Sequence, residues 1–253
     1  MSTGRHIPTN FPQGQIQYTD DHRLRTIGRQ LESAVIEIGR HGPIVSGTRT
    51  LRDAIGHLGK TGGRILVGEG IYAFNSQLSM ARTNIHILST SPGKTVFKRT
   101  ATGSDPMISF TGAECILEGV RFIDENSTGY CIESTGDRTV VRNCFFENVY
   151  GGIKIDGADF CTIEGNHFVD ADGHNVEFAN TCVGALISNN RFEEAREFNI
   201  LLSTGTTKST MIGNVLDWAG GEISSPYSAT GMQARATVPT VNVVDTANIT
   251  ETT

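Results

Sequence analysis

The chain has no long apolar run. No segment approaches the ~20 consecutive apolar residues that span a bilayer, and the start, Met-Ser-Thr-Gly-Arg, lacks the apolar stretch of a secretion signal. A protein made in a cytosol and not inserted in a membrane is expected. Positive charge is also scarce: 21 Lys and Arg stand against 27 Asp and Glu, a net charge of −6 with no basic stripe. Nucleic acid is therefore not an expected partner. Cysteines number five, an odd count, and no CxxC pair occurs. Cys115, Cys131, Cys144, Cys161 and Cys182 accordingly read as small buried side chains, not as redox or metal groups. GxSxG, a phosphate-cradling Walker loop and a dinucleotide fingerprint are all missing, since Gly68-Glu-Gly-Ile-Tyr-Ala opens a strand region and not a helix. No loop has the spacing of a calcium site, and His167 and His174 lack a third ligand. Neither a cofactor nor a metal is expected.

What the sequence has is a repeat. Aligning 115–122, 139–146, 161–168, 185–192 and 209–216 puts Phe122, Phe146, Phe168, Phe192 and Leu216 in one column, at spacings of 24, 22, 24 and 24. Five residues earlier a second column reads Leu117, Val141, Ile163, Ile187 and Met211. Between them stand Gly119, Asn143, Gly165, Asn189 and Gly213, residues that tolerate a left-handed backbone and so mark a turn. The next column, Val120, Cys144, Asn166, Asn190 and Asn214, ends in asparagines that can bond amide to amide along a parallel stack. A second strand follows each turn, in the period-two pairs Tyr130/Ile132, Ile153/Ile155, Val176/Phe178 and Ile200/Leu202. One such unit cannot bury its own apolar face, so stacked neighbours must do so. The fold class expected is all-β, a right-handed parallel β-helix, preceded by an N-terminal arm and a helical segment. Regular register over five units favours it over a left-handed solenoid or a β-sandwich.

Three regions are expected: 1–47, an arm and an oligomerising or attachment helix; 48–218, the β-helix; 219–253, a C-terminal cap or inter-subunit tail with a strand-like run at 240–244. In the first, Leu24, Ile27, Leu31, Ala34 and Ile38 are spaced 3, 4, 3, 4, the seam of a coiled coil. They predict a helix over 22–39 that joins subunits, ended by Gly39, Gly42 and Pro43. A second short helix is predicted over 50–58, with Thr50 and Asp53 as a capping box and Gly59 as the stop.

That short helix with Ala54-Ile55, then Gly62-Gly63, a three-residue apolar strand and Gly70-Ile71-Tyr72, resembles the entry into the β-helix of pectate-lyase-like proteins, above all phage tailspikes and tail fibres. The likeness covers about residues 48 to 216. The chain departs from the family's turn in having Gly68-Glu69-Gly70 where Pro usually precedes the glycine.

Chemistry points first to an acidic strip after the aromatic column. Asp124, Asn148, Asp170 and Glu194 align, with Glu125, Glu147, Asp172, Glu193, Glu197 and Asp217 nearby. Neighbouring rungs lie ~4.8 Å apart, so carboxylates there can reach the separations used in glycoside hydrolysis. Asp170, Glu194 and Asp217 are the catalytic candidates, the last beside Trp218; turn carboxylates facing water are the plainer account. Arg121, His167 and Arg191 share a column that suits an anionic sugar. The resemblance implies a virion structural protein, synthesised in the host cytoplasm: a tailspike-like or fibre-like homotrimer joined to other virion proteins through 1–47 and contacting a host polysaccharide. A polysaccharide-degrading enzyme of the same fold and a capsid decoration or head-spike trimer are the alternative readings.

Overall fold

The computed structural model describes residues 15–17, 34–39, 44–125, 127–202, 206–216, 223–224 and 233–235. They form a right-handed parallel β-helix with one short α-helix. Each full coil gives one strand to each of three sheets, which hold ten, eight and seven strands. One such coil runs Ile116–Glu118, Arg121–Ile123, Tyr130–Ser134, and its neighbours pair with it in parallel on both sides.

Alternation decides what fills the interior. Ile65, Ile87, Leu117, Val141, Ile163 and Ile187 line the first sheet's inner face, all fully buried. On the second sheet the register Phe122↔Phe146↔Phe168↔Phe192↔Leu216 puts the aromatic column in line. Phe122, Phe146, Phe168 and Phe192 stack face to face, with centroids 4.9, 4.6 and 5.0 Å apart and planes within 10°. The column begins two coils earlier, where Tyr72 and Phe97 meet edge-on. Offset and edge contacts of this kind add to the area each ring buries.

The first corner explains the alternation of glycine with asparagine. Gly119, Asn143, Gly165, Asn189 and Gly213 all have positive φ, from 54° to 75°. The Asn143 amide reaches the next coil, where a Cβ on Gly165 would stand 2.7 Å from its Oδ1; Asn189 does the same above Gly213, at 2.5 Å. A side chain on one coil takes the space the next must leave empty. Immediately after the corner, Asn166 Nδ2 donates to Asn190 Oδ1 and Asn190 Nδ2 to Asn214 Oδ1, both at 3.0 Å. Each Asn Oδ1 also accepts the backbone N–H one coil earlier, Cys144 standing at the head of the row.

The N-terminal helix does not extend to Ile38. Ala34–Ile38 is a strand of the first sheet, paired with Gly63–Val67, and Ile36 and Ile38 are fully buried in the solenoid core. The 3-4 spacing there coincides with a period-two pattern, Ile36 and Ile38, and ladder pairing with an existing sheet edge prevails. Leu24, Ile27 and Leu31 lie outside the described residues. Helix α1 spans Gly47–His57, so Thr50 and Asp53 sit inside it and do not cap it. Its far end is closed by Arg82, whose Nη1 donates to Ile55 O at 2.9 Å and Leu58 O at 2.6 Å.

Two further differences concern the third sheet and the C-terminus. The inward pair on the rung Tyr130–Ser134 is Ile132 and Ser134, not Tyr130 and Ile132, because Cys131 and Ile132 are buried in succession and shift the alternation. Ser134 is tolerated inside because its Oγ lies 2.8 Å from Thr139 Oγ1, which in turn donates to Gly136 O. Beyond 218 the coil pattern continues in Ile223–Ser224 and Gln233–Arg235, parallel to Ile200–Leu202 and Thr210–Ile212. The run at 240–244 lies outside the described residues.

Candidate functional site

The acidic strip does not come together as one site. Asp124 is sealed inside: its side chain is 0% exposed, its Oδ2 lies 2.7 Å from Arg99 Nε, and Ser127 Oγ donates to it at 2.6 Å. Arg99 also donates to Asp105 O and Tyr130 O, tying the 100–107 loop to the next coil. It borders a cleft of ≈ 200 Å³ that is also lined by Phe74, Gln77, Asp105 and Met107. Asp105 is the one carboxylate on that lining. Asn148 and Asp170 are exposed within the strands Phe145–Val149 and His167–Ala171, both with positive φ. Glu194 belongs to the strand Arg191–Ala195, its side chain lies outside the described residues, and so do Asp217 and Trp218.

The basic column of the second sheet is engaged by carboxylates. Arg121 pairs with Glu147 and lies 5.4 Å above the Phe145 ring. His167 meets Phe145 edge-on at 4.9 Å, and its Nε2 is 2.9 Å from Glu193, which Arg191 also contacts. The His167 and Arg191 hydrogen bonds hold the Glu193 carboxyl below its usual value. The charges are neutralised across rungs, which leaves an anionic sugar no open cation in this column.

The outer face of the third sheet gathers different chemistry. Its outward column runs Glu133, Lys154, Glu177, Leu201 on successive rungs. Lys154 Nζ lies 3.8 Å from Glu133 and 3.6 Å from Asp156. Along the sheet's leading edge come Tyr130, Tyr150, His174 and Phe198. Tyr130 donates its hydroxyl to Glu177, two rungs on. His174 Nε2 lies 3.1 Å from Glu197, and its ring lies over Phe198 at 5.6 Å, 24° from parallel. Burial, then the Glu177 bond, pushes the Tyr130 phenol well above its ordinary value, so at neutral pH it is a fixed neutral donor.

At the Tyr130 ring, glycine on the next coil leaves room. A Cβ on Gly151 would stand 2.6 Å from the Tyr130 ring, and one on Gly173 3.5 Å from that of Tyr150. The same arrangement recurs at Phe160, 58% exposed, over Gly184. Flat aromatic faces beside carboxylates and a lysine can take a hydroxylated ring, apolar face on aromatic and hydroxyls on charge. This face was missed in the sequence, where Tyr130 reads as a core residue. The available signal is an aromatic followed 21 to 24 residues later by glycine, as in Tyr130/Gly151, Tyr150/Gly173 and Phe160/Gly184. Among the described residues no three His, Cys, Asp or Glu side chains gather to hold a metal ion, and no helix is long and apolar enough to cross a membrane.

The sequence profile of the family described as right handed beta helix region matches residues 67–217. No curated protein sequence matches the chain at a significant level. Similar solved structures include ORF18 of Geobacillus virus E2, 12% identical with a TM-score of 0.51, covering 70% of this chain and 50% of that one. A PL6 alginate lyase complexed with a trisaccharide is 12% identical with a TM-score of 0.51, over 71% of this chain and 47% of that one. The Agl-KA catalytic domain is 12% identical with a TM-score of 0.59, over 90% and 47%. The chain spans about half the length of these proteins, and the likeness is one of fold.

Proposed function

The chain belongs to the right-handed β-helix family, and from that premise we propose that it is a virion structural component, a tailspike-like or fibre-like homotrimer whose third-sheet face binds a host surface glycan without cutting it. The observation that carries this reading is the aromatic edge formed by Tyr130 (packed over Gly151), Tyr150, His174 and Phe198 beside Glu177, Glu197 and Lys154. A viral protein among the similar folds supports the placement on a phage particle. Binding without cleavage is favoured because the outward carboxylates of this face are bonded to Tyr130, His174 and Lys154, while the ≈ 200 Å³ cleft offers one carboxylate where glycoside hydrolysis uses two.

Assembly as a trimer draws on the outer face of the first sheet. Leu66, Leu88, Ile116, Val140 and Leu186 are half-buried there and Ile212 is 44% exposed, apolar positions interspersed with Glu118, Arg142 and Glu164 that side-by-side solenoids would cover. The N-terminal region joins the particle. An image of the particle bearing the protein separates a tail position from a capsid one.

Polysaccharide cleavage is the second reading, favoured by two close pairs of proton-transfer type, Tyr130 hydrogen-bonded to Glu177 and His174 Nε2 3.1 Å from Glu197. The test is incubation of the purified protein with host surface polysaccharide, followed by sizing of the products. Retention of chain length with measurable binding is expected. Depolymerisation that disappears in Tyr130→Phe or His174→Gln would install the enzyme instead.

A further inference from the structure

We infer that the third-sheet face selects a glycan bearing free amino groups, of the hexosamine class, and turns away polyuronates. This rests on the reading that the face contacts a glycan. Its charge is one-sided: Glu133, Asp156, Glu177 and Glu197 stand against Lys154, four carboxylates less one ammonium, a balance of −3 among the Lys, Asp and Glu side chains. The ammonium is committed, lying within 3.8 Å of Glu133 and 3.6 Å of Asp156. Glu197 keeps 51% of its side chain exposed, beside the His174 and Phe198 rings.

An acidic chain laid along this face meets a carboxylate on each of four successive coils, Glu133, Asp156, Glu177 and Glu197, offset only by Lys154. An amino sugar meets the reverse. Its ring packs on Tyr130 or Tyr150, and its ammonium is drawn both to the carboxylates and to the negative face of an aromatic ring. The Arg121, His167 and Arg191 column offers a polyuronate no better place, since Glu147 and Glu193 already hold those groups.

The experiment is calorimetric titration of the full chain at low salt with three hexamers: glucosamine, N-acetylglucosamine and alginate. Glucosamine hexamer is expected to bind at least about tenfold more tightly than the acetylated one and to lose most of that advantage in high salt, with alginate giving no heat. The double variant Glu177→Gln/Glu197→Gln weakens glucosamine binding about tenfold and leaves the acetylated hexamer within about twofold. A matched pair on the first sheet, Glu118→Gln/Glu164→Gln, changes neither. Alginate binding as tightly as glucosamine overturns the selectivity and leaves the glycan reading standing. Equal loss in both double variants also overturns it, by showing diffuse attraction to an acidic protein. If none of the hexamers binds, the glycan reading falls and the selectivity with it.

Discussion

At the scale of single residues, the interior is held by packing and contains thiols that stay protonated at neutral pH. Phe168 has a ring above and below it at 4.6 and 5.0 Å, and little around it can collapse into a gap. Phe168→Ala should lower the unfolding free energy by ~3–5 kcal/mol in urea, with an unchanged m-value. All five cysteines are free and buried. Burial pushes the Cys144 and Cys161 thiols up to about 12, and it raises those of Cys115, Cys131 and Cys182 as well. In the unfolded chain a thiol releases its proton near 9. Between about pH 9 and 12 the unfolded state therefore binds fewer protons than the folded one, and stability falls as pH rises, by about 1.4 kcal/mol per pH unit for each such thiol. Urea midpoints measured across that range should decline, and Cys144→Ala should flatten the decline. At neutral pH a thiol reagent should label the protein only on unfolding; prompt labelling of the native protein would contradict the burial.

At the scale of elements, corners and ladders set the register. Asn190 bridges three coils, its Nδ2 donating to Ile163 O and Asn214 Oδ1 and its Oδ1 accepting from Asn166 N. Asn190→Ala leaves a buried N–H and a buried C=O without partners and should cost about 2–5 kcal/mol in denaturant unfolding. The corner that enters the first sheet tells the opposite story. Glu114, Arg138, Phe160 and Lys208 hold positive φ there, between 53° and 60°, in column with Gly184. The ladder imposes this conformation, since Glu114 N, Arg138 N and Phe160 N each donate to a carbonyl of the next coil. Lys208 is exposed, so glycine there removes the left-handed penalty at little loss of contact. Lys208→Gly should raise stability by about 0.5–1 kcal/mol, the left-handed penalty less the extra entropy glycine loses on folding. A decrease would show that the lysine side chain contributes more than the strain costs.

At the scale of the whole molecule, stability is a sum over neighbouring coils, and the outer faces divide the work. The first sheet offers apolar positions among charged ones, the second cross-rung ion pairs, the third the aromatic and acidic face. Light scattering at micromolar concentration should give three times the chain mass. Val140→Lys, an outward position on the first sheet, should leave the β-type circular dichroism intact and yield monomer. A monodisperse monomer of the unaltered chain would remove the trimer from the proposal. Loss of assembly in Val140→Lys with retained glycan binding would show that the two faces act independently.

The sequence by itself determined the coil. Its period, the Phe122 to Phe192 column, the Gly and Asn corner and the Asn166, Asn190 and Asn214 ladder are visible because each depends on a residue's own chemistry recurring at a fixed interval. Tertiary structure alone decided where local chemistry is neutral or misleading. Glu114, Arg138 and Phe160 carry no left-handed signal and are bent by the ladder. Ala34–Ile38 satisfies a heptad and a strand pattern alike, and a sheet edge with open N–H and C=O groups settles it as a strand. Asp124 looks like its exposed column mates until Arg99, one coil away, neutralises it inside. The third-sheet face brings together Tyr130 over Gly151, Tyr130 with Glu177, and His174 with Phe198 and Glu197, pairings that arise when parallel stacking brings residues more than twenty positions apart into contact.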